Sequence, residues 1–175
     1  MRKATILLAA LALALVVGGG AALAATIHCG GGNCFGTARA DTMYGTNRHD
    51  AIFAKAGGDY VSGREGGDDL NGQGGNDRVF GGQGDDWVKG GDRKDIVKGD
   101  NGHDTLTGGS GDNVIRAGDG MRDLIICGNN SSNFIYYDPG LDRFKNCVFL
   151  ESFEASSTGG SSATVTATGP GGEAE

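Results

Sequence analysis

An aspartate returns at every ninth position: Asp41, Asp50, Asp59, Asp68, Asp77, Asp86, Asp95 and Asp104, with Asn113 closing the series. Two residues after each stands an apolar side chain: Met43, Ile52, Val61, Leu70, Val79, Val88, Val97, Leu106 and Ile115. The chain as a whole is only 38% hydrophobic, so this column is no accident of composition. Written in rows of nine from Gly36, the first column is glycine in every row except that of Ala54. The fourth column is glycine at 57, 66, 75, 84, 102 and 111. Glycine makes up 35 of 175 residues, a share that signals disorder in an aperiodic chain. A fixed period instead predicts stacked identical units, each burying its apolar face on the next.

The row suggests its own geometry. Six residues make a turn whose glycines supply positive φ, and three make a short strand with its middle residue inward. Two rows close a coil of eighteen residues, so alternate rows share an edge. One edge carries Asp50, Asp68, Asp86 and Asp104; the other carries Asp41, Asp59, Asp77 and Asp95, ending at Asn113. Stacked carboxylates one strand spacing apart (~4.8 Å) repel one another and call for a cation. Six or more oxygens, from carboxylates and glycine carbonyls, suit Ca²⁺. Mg²⁺ is a poorer fit, because it demands octahedral geometry. Zinc and copper want nitrogen or sulfur, and only His28, His49 and His103 offer ring nitrogens. Glycine in the fourth column marks Asp59, Asp68, Asp77, Asp86 and Asp104 as the main ligands of several ions. Arg39, Arg48 and Arg93 in that column predict weaker roles for Asp41, Asp50 and Asp95.

The ends differ from the repeat. Residues 1–25 read as a secretory signal peptide: Arg2 and Lys3, an apolar run from Ile6 to Val17, then Ala22-Leu23-Ala24 as a cleavage site. The run is short for a bilayer span, so no membrane span is expected after cleavage. Without Arg2 and Lys3, 13 Lys+Arg face 22 Asp+Glu, a net charge of −9. That disfavours nucleic acid as a partner and favours cations. Cys29, Cys34, Cys127 and Cys147 are an even set in an exported chain and suggest two disulfides. Three pairings exist, of which the local one joins 29 to 34 and 127 to 147. Neither pair has the close CxxC spacing of a zinc site.

Rows such as Gly81-Gly82-Gln83-Gly84-Asp85-Asp86-Trp87-Val88-Lys89 and Gly72-Gln73-Gly74-Gly75-Asn76-Asp77-Arg78-Val79-Phe80 resemble the hemolysin-type (RTX) calcium-binding repeat family. The flanks, with Gly36-Thr37, Gly45-Thr46, Asp119-Gly120-Met121-Arg122-Asp123, Cys127-Gly128, Asp138, Asp142 and Cys147, look like small secreted actinobacterial members. The resemblance implies a parallel β-roll with calcium in its turns. Asn129 to Asn133 departs from the acidic turn usual in the terminal module, which argues against calcium there.

The expected fold is therefore all-β, a parallel β-roll (β-solenoid) of nonapeptide repeats with disulfide-linked caps. A signal peptide (1–25) precedes an N-terminal cap (26–35), the roll (36–126), a C-terminal cap (127–150) and a disordered Ser/Thr/Gly-rich tail (151–175). The expected function is a secreted, extracellular calcium-binding protein in which the metal drives folding, with a structural or interaction role. A calcium-dependent adhesion or glycan-binding module is the alternative, since Tyr44, Tyr60 and Phe80 on one face and Phe53 and Trp87 on the other point outward. A non-catalytic accessory of an extracellular enzyme system ranks third. No enzyme is expected: the chain lacks Gly-x-Ser-x-Gly and His-Glu-x-x-His, and His49 and His103 occupy solvent-facing turn positions.

Overall fold

The structure, a computed structural model, describes residues 24–128, 132–152 and 163–168. Its strands run in chain order as β1 (Ala25–His28), β2 (Gly32–Phe35), β3 (Asp41–Tyr44), β4 (Asp50–Phe53), β5 (Tyr60–Glu65), β6 (Asp69–Gly74), β7 (Arg78–Gln83) and β8 (Trp87–Asp92). They continue as β9 (Ile96–Asn101), β10 (Thr105–Ser110), β11 (Asn113–Arg116), β12 (Leu124–Ile126), β13 (Ser132–Tyr137), β14 (Arg143–Lys145), β15 (Val148–Ser152) and β16 (Ala163–Thr168). From β1 to β15 successive strands alternate between two sheets. One has the order β1-β3-β5-β7-β9-β11-β13-β16-β15, the other β14-β12-β10-β8-β6-β4-β2. Through the repeat every pairing is parallel, with residue i opposite i+18, as in Val61↔Val79 and Leu70↔Val88. This is the expected parallel β-solenoid, and both disulfides, Cys29–Cys34 and Cys127–Cys147, are the local ones.

The core is a single file of side chains between the sheets. Met43, Ile52, Val61, Leu70, Val79, Val88, Val97, Leu106 and Ile115 are all 0–2% exposed, and Ile125 and Ile135 extend the file. Two such residues per coil are little to set against the entropy of ordering eighteen. Backbone hydrogen bonds and the coil edges must therefore contribute much of the stability.

Three expectations need correction. The strands of the glycine-rich rows are six residues long, not three, because the second and third columns stay in the ladder, as in Arg64↔Gly82 and Glu65↔Gln83. The sequence also offers Phe134, Ile135, Phe144 and Val148 as apolar cover for the last coil. Ile135 and Phe144 pack on the core there, joined by Tyr137 and Val165, whereas Phe134 (38% exposed) and Val148 (50% exposed) face outward. Finally, the tail is not structureless throughout. Ala163–Thr168 forms β16, antiparallel to both β13 and β15. Its alternation of Thr with Val165 and Ala167 turns those two inward, where both are buried, and β-branched residues favour strands. The leader lies outside the described residues, apart from Ala24 and Ala25, and Ala25 opens β1. So do residues 129–131, 153–162 and 169–175.

Candidate metal centre

Strands β3 to β10 each start on, or one residue after, an aspartate of the repeat, because the turn delivers that residue inward at the coil edge. All eight aspartates, Asp41 through Asp104, are 0–3% exposed. They form two ladders. The backbone N–H of each donates to Oδ1 of the aspartate one coil later: Asp41 to Asp59, Asp59 to Asp77, Asp50 to Asp68, Asp68 to Asp86 and Asp86 to Asp104, at 2.7–2.9 Å. Asp77 donates likewise to Asp95 (2.8 Å), and Asp95 to Asn113 Oδ1 (2.9 Å). From Asp59 onward, one oxygen of each carboxylate is thereby fixed by the preceding coil.

From Asp59 to Asp104 the other oxygen has no protein partner among the described residues. Among the described residues, Oδ2 of Asp59, Asp68, Asp77, Asp86, Asp95 and Asp104, and Oδ1 of Asp50, are buried without a hydrogen bond. A buried unpaired acceptor costs roughly 1–3 kcal/mol, more when charged. Burial pushes the Asp68, Asp77 and Asp104 carboxyls up to about 6 and those of Asp86 and Asp95 up to about 7. Neighbouring carboxylates push the same way, and the N–H bond from the preceding coil opposes them. Asp59 shifts upward for the same first cause.

The first-column glycines make room for the inward carboxylate. A Cβ built on Gly81 would lie 2.3 Å from Asp86 Oδ2 and 2.5 Å from the Gly99 carbonyl oxygen. Gly72 and Gly90 stand in the same relation to Asp77 and Asp95. Carboxylate and carbonyl oxygens therefore crowd together along each edge. Among the described residues no three His, Cys, Asp or Glu side chains converge on one point. A cation here would draw on backbone oxygens to fill its shell, which suits a hard ion of high coordination number.

The first two rows differ. The Thr37 N–H donates to Asp41 Oδ2 (2.6 Å) and its hydroxyl to Oδ1 (3.2 Å), and Oδ1 also accepts from the Ala25 N–H (3.3 Å). Thr46 bonds Asp50 Oδ2 through its N–H (2.7 Å) and hydroxyl (2.8 Å). Both oxygens of Asp41 are thus satisfied, and one of Asp50. Asp95 differs from Asp86 in none of this geometry, although Arg93 in its fourth column takes φ +82°. From Lys55 to Gly109 the second column is left-handed in every row, at Lys55, Arg64, Gln73, Gly82, Gly91, Asp100 and Gly109. Column two, more than column four, separates the two kinds of turn.

One member of the ladder was not singled out from sequence. Asp123 accepts the Asp104 N–H (2.9 Å), is 1% exposed, leaves Oδ2 unpaired, and is pushed by burial up to about 8. Asp142 follows, accepting the Asp123 N–H (2.9 Å). Both steps are nineteen residues, one more than the repeat, so a strict nine-residue count passes over them. The other edge ends in amides, with Asn113 Nδ2 donating to Asn133 Oδ1 (3.1 Å). His49 and His103 are exposed turn residues.

The sequence matches the family model described as RTX calcium-binding nonapeptide repeat (4 copies) over residues 35–70, 62–92 and 89–120. No curated protein and no solved structure matches the chain. The parallel coils, the aspartate ladders and their unpaired buried oxygens agree with that match: the repeat region of this chain, residues 35–120, belongs to the RTX calcium-binding nonapeptide repeat family.

Proposed function

We propose that this calcium-binding β-roll is exported through its leader and folds outside the cell when Ca²⁺ occupies the coil edges, giving a non-catalytic structural or interaction module. The observation that carries this reading is the row of buried aspartate oxygens lacking any protein partner. Asp59, Asp68, Asp77, Asp86 and Asp104 hold the ions, Asp95 joins them on equal terms, and Asp123 extends one edge. Asp50 contributes one free oxygen, and Asp41 is the member that needs the metal least. Several ions are bound. When present, they supply positive charge and oxygen affinity where the folded chain otherwise places like charges together. The leader, the net charge of −9 without it and the cysteine pairs support export into a calcium-rich, oxidising medium.

Circular dichroism of the chain without its leader tests the folding role. Chelator at neutral pH is expected to abolish the β signal and millimolar calcium to restore it. A β signal indifferent to chelator contradicts the reading. N-terminal sequencing of the secreted protein checks export, with Ala25 or Thr26 expected as the first residue.

The second reading, a calcium-dependent glycan-binding module, is favoured by an open groove between Phe53 and Trp87 on the seven-stranded sheet.

A further inference from the structure

The outward positions of the seven-stranded sheet bring together Phe53 on β4, Asp69 and Asn71 on β6, and Trp87 and Lys89 on β8. With Leu70 beneath them they line a groove of about 310 Å³. Strand register sets Asn71 level with Phe53 and Lys89, and Asp69 level with Trp87, so the two aromatic rings stand diagonally across β6. They are two strands apart, roughly 10 Å at the usual strand spacing. Phe53 has one face covered by Phe35, whose ring stacks on it at 5.4 Å, which leaves its other face to the groove. Trp87 is 59% exposed and stacks on no other ring among the described residues. This differs from the nine-stranded sheet, where His28, Tyr44, Tyr60 and Phe80 pack ring to ring along the coil axis and cover each other's faces. Past Asn71 and Lys89 the groove opens into a polar trough of about 570 Å³ walled by Gln73, Asp92, Thr107 and Ser110.

Aromatic walls over a floor of mixed donors and acceptors suit a pyranose ring. Its C–H faces pack on aromatic rings, and its rim of hydroxyls both donates and accepts. Asp69 accepts, Lys89 donates, and Asn71 does both. An aliphatic ligand would leave these three groups unmatched. The charges of Asp69 and Lys89 cancel, and Asp92 is already bonded by the Ser110 hydroxyl (2.8 Å). The lining therefore offers no net positive field for a uronate or a sulfated sugar. The length and openness of the trough suit a polymer.

We infer that this groove binds a neutral polysaccharide, with one sugar ring seated between Phe53 and Trp87 and further units running along the trough past Asn71 and Lys89. The inference rests on the calcium reading, because the groove is assembled from three stacked coils. Asp50, Asp68 and Asp86, the ladder residues of one edge, stand at or just before the starts of β4, β6 and β8. Sugar and calcium binding are then linked, each tightening the other.

Trp87 is the only tryptophan, so its emission reports on the groove. The calcium-saturated chain is titrated with neutral glucan, chitin-type and mannan-type oligosaccharides, and with polygalacturonate-type ones. A saturable emission change with a neutral glycan is expected. In calorimetry Trp87→Ala lowers that affinity by about tenfold or more, while Arg78→Ala on the other sheet leaves it unchanged. Calcium affinity rises when the glycan is present. The ring of Trp87 lies largely in solvent, so the variant keeps its fold, which circular dichroism checks. Asn71→Ala gives an independent reading of the polar floor. The inference is overturned if no neutral glycan changes the emission of the folded chain, if only acidic ones do, or if Trp87→Ala binds as tightly as the parent. A failed calcium reading shows as a β signal that ignores chelator. A failed groove shows as a silent Trp87 in a chain whose β signal does respond.

Discussion

The rows beginning Gly36-Thr37 and Gly45-Thr46 and the rows beginning at Gly63, Gly72 and Gly81 place an aspartate in the same register, yet they complete its carboxylate differently. In the threonine rows the second residue turns its N–H and hydroxyl onto the carboxylate, and the next turn residues, Arg39 and Arg48, bond the same hydroxyl. In the glycine rows the second residue is left-handed, no such bonds form, and an oxygen is left for something outside the chain. The same repeat thus contains turns completed by protein and turns left with an unpaired buried oxygen, the ones proposed above to take calcium. The former sit at the N-terminal end, beside the disulfide cap.

The largest break in this comparison comes from exchanging fourth-column residues. A Cβ at Gly75 would fall 1.3 Å from the Gly57 carbonyl oxygen at a φ of +150°. Gly75→Arg should cost about 3 kcal/mol or more and prevent calcium from restoring the β signal. Arg39→Gly, at the equivalent position of a threonine row, should cost under about 1 kcal/mol. Thermal unfolding in calcium measures both.

The pH dependence of the metal-free chain comes next. The carboxyls of Asp68, Asp77, Asp86, Asp95, Asp104 and Asp123 lie at about 6 to 8 when folded, against an ordinary value near 3.9 when unfolded. The folded state therefore holds protons that the unfolded state has released. This stabilisation is complete below about pH 4 and is lost as pH rises through 6 to 8. In chelator the β signal should be stronger at pH 5 than at pH 8. A signal that weakens on acidification contradicts the account of unpaired buried carboxylates.

Two smaller effects sharpen the comparison. Thr46→Val removes a hydroxyl bonded to Asp50 and should cost about 1 kcal/mol of stability, with a modest rise in the calcium needed for folding. Arg93→Gly relieves a left-handed arginine and should gain about 1 kcal/mol, with a modest fall in the calcium needed for folding. Parallel urea and calcium titrations distinguish the two.

Much of this was legible in the sequence, because a period of nine carries its information in columns. The apolar column gave the core and the aspartate column gave both edges. What was harder to read depended on position within the turn. Arginine in the fourth column placed Asp95 beside Asp41, but Arg93 adopts the backbone glycine would, and the carboxylate of Asp95 is as open as that of Asp86. The second column decides instead, and its left-handed members include Lys55, Arg64 and Gln73, which carry no glycine signal. Asp123 lay one residue out of phase. Strand β16 has too weak an apolar alternation, a valine and two alanines, to stand out among serines and threonines.

Calcium titration by calorimetry on the chain without its leader, with Asp86→Ala and Asp41→Ala beside it, tests the division between the two kinds of turn most directly. The account predicts several ions for the parent, one or two fewer for Asp86→Ala, and an unchanged number for Asp41→Ala. Equal losses in the two variants, or no calcium uptake by the parent, would contradict it.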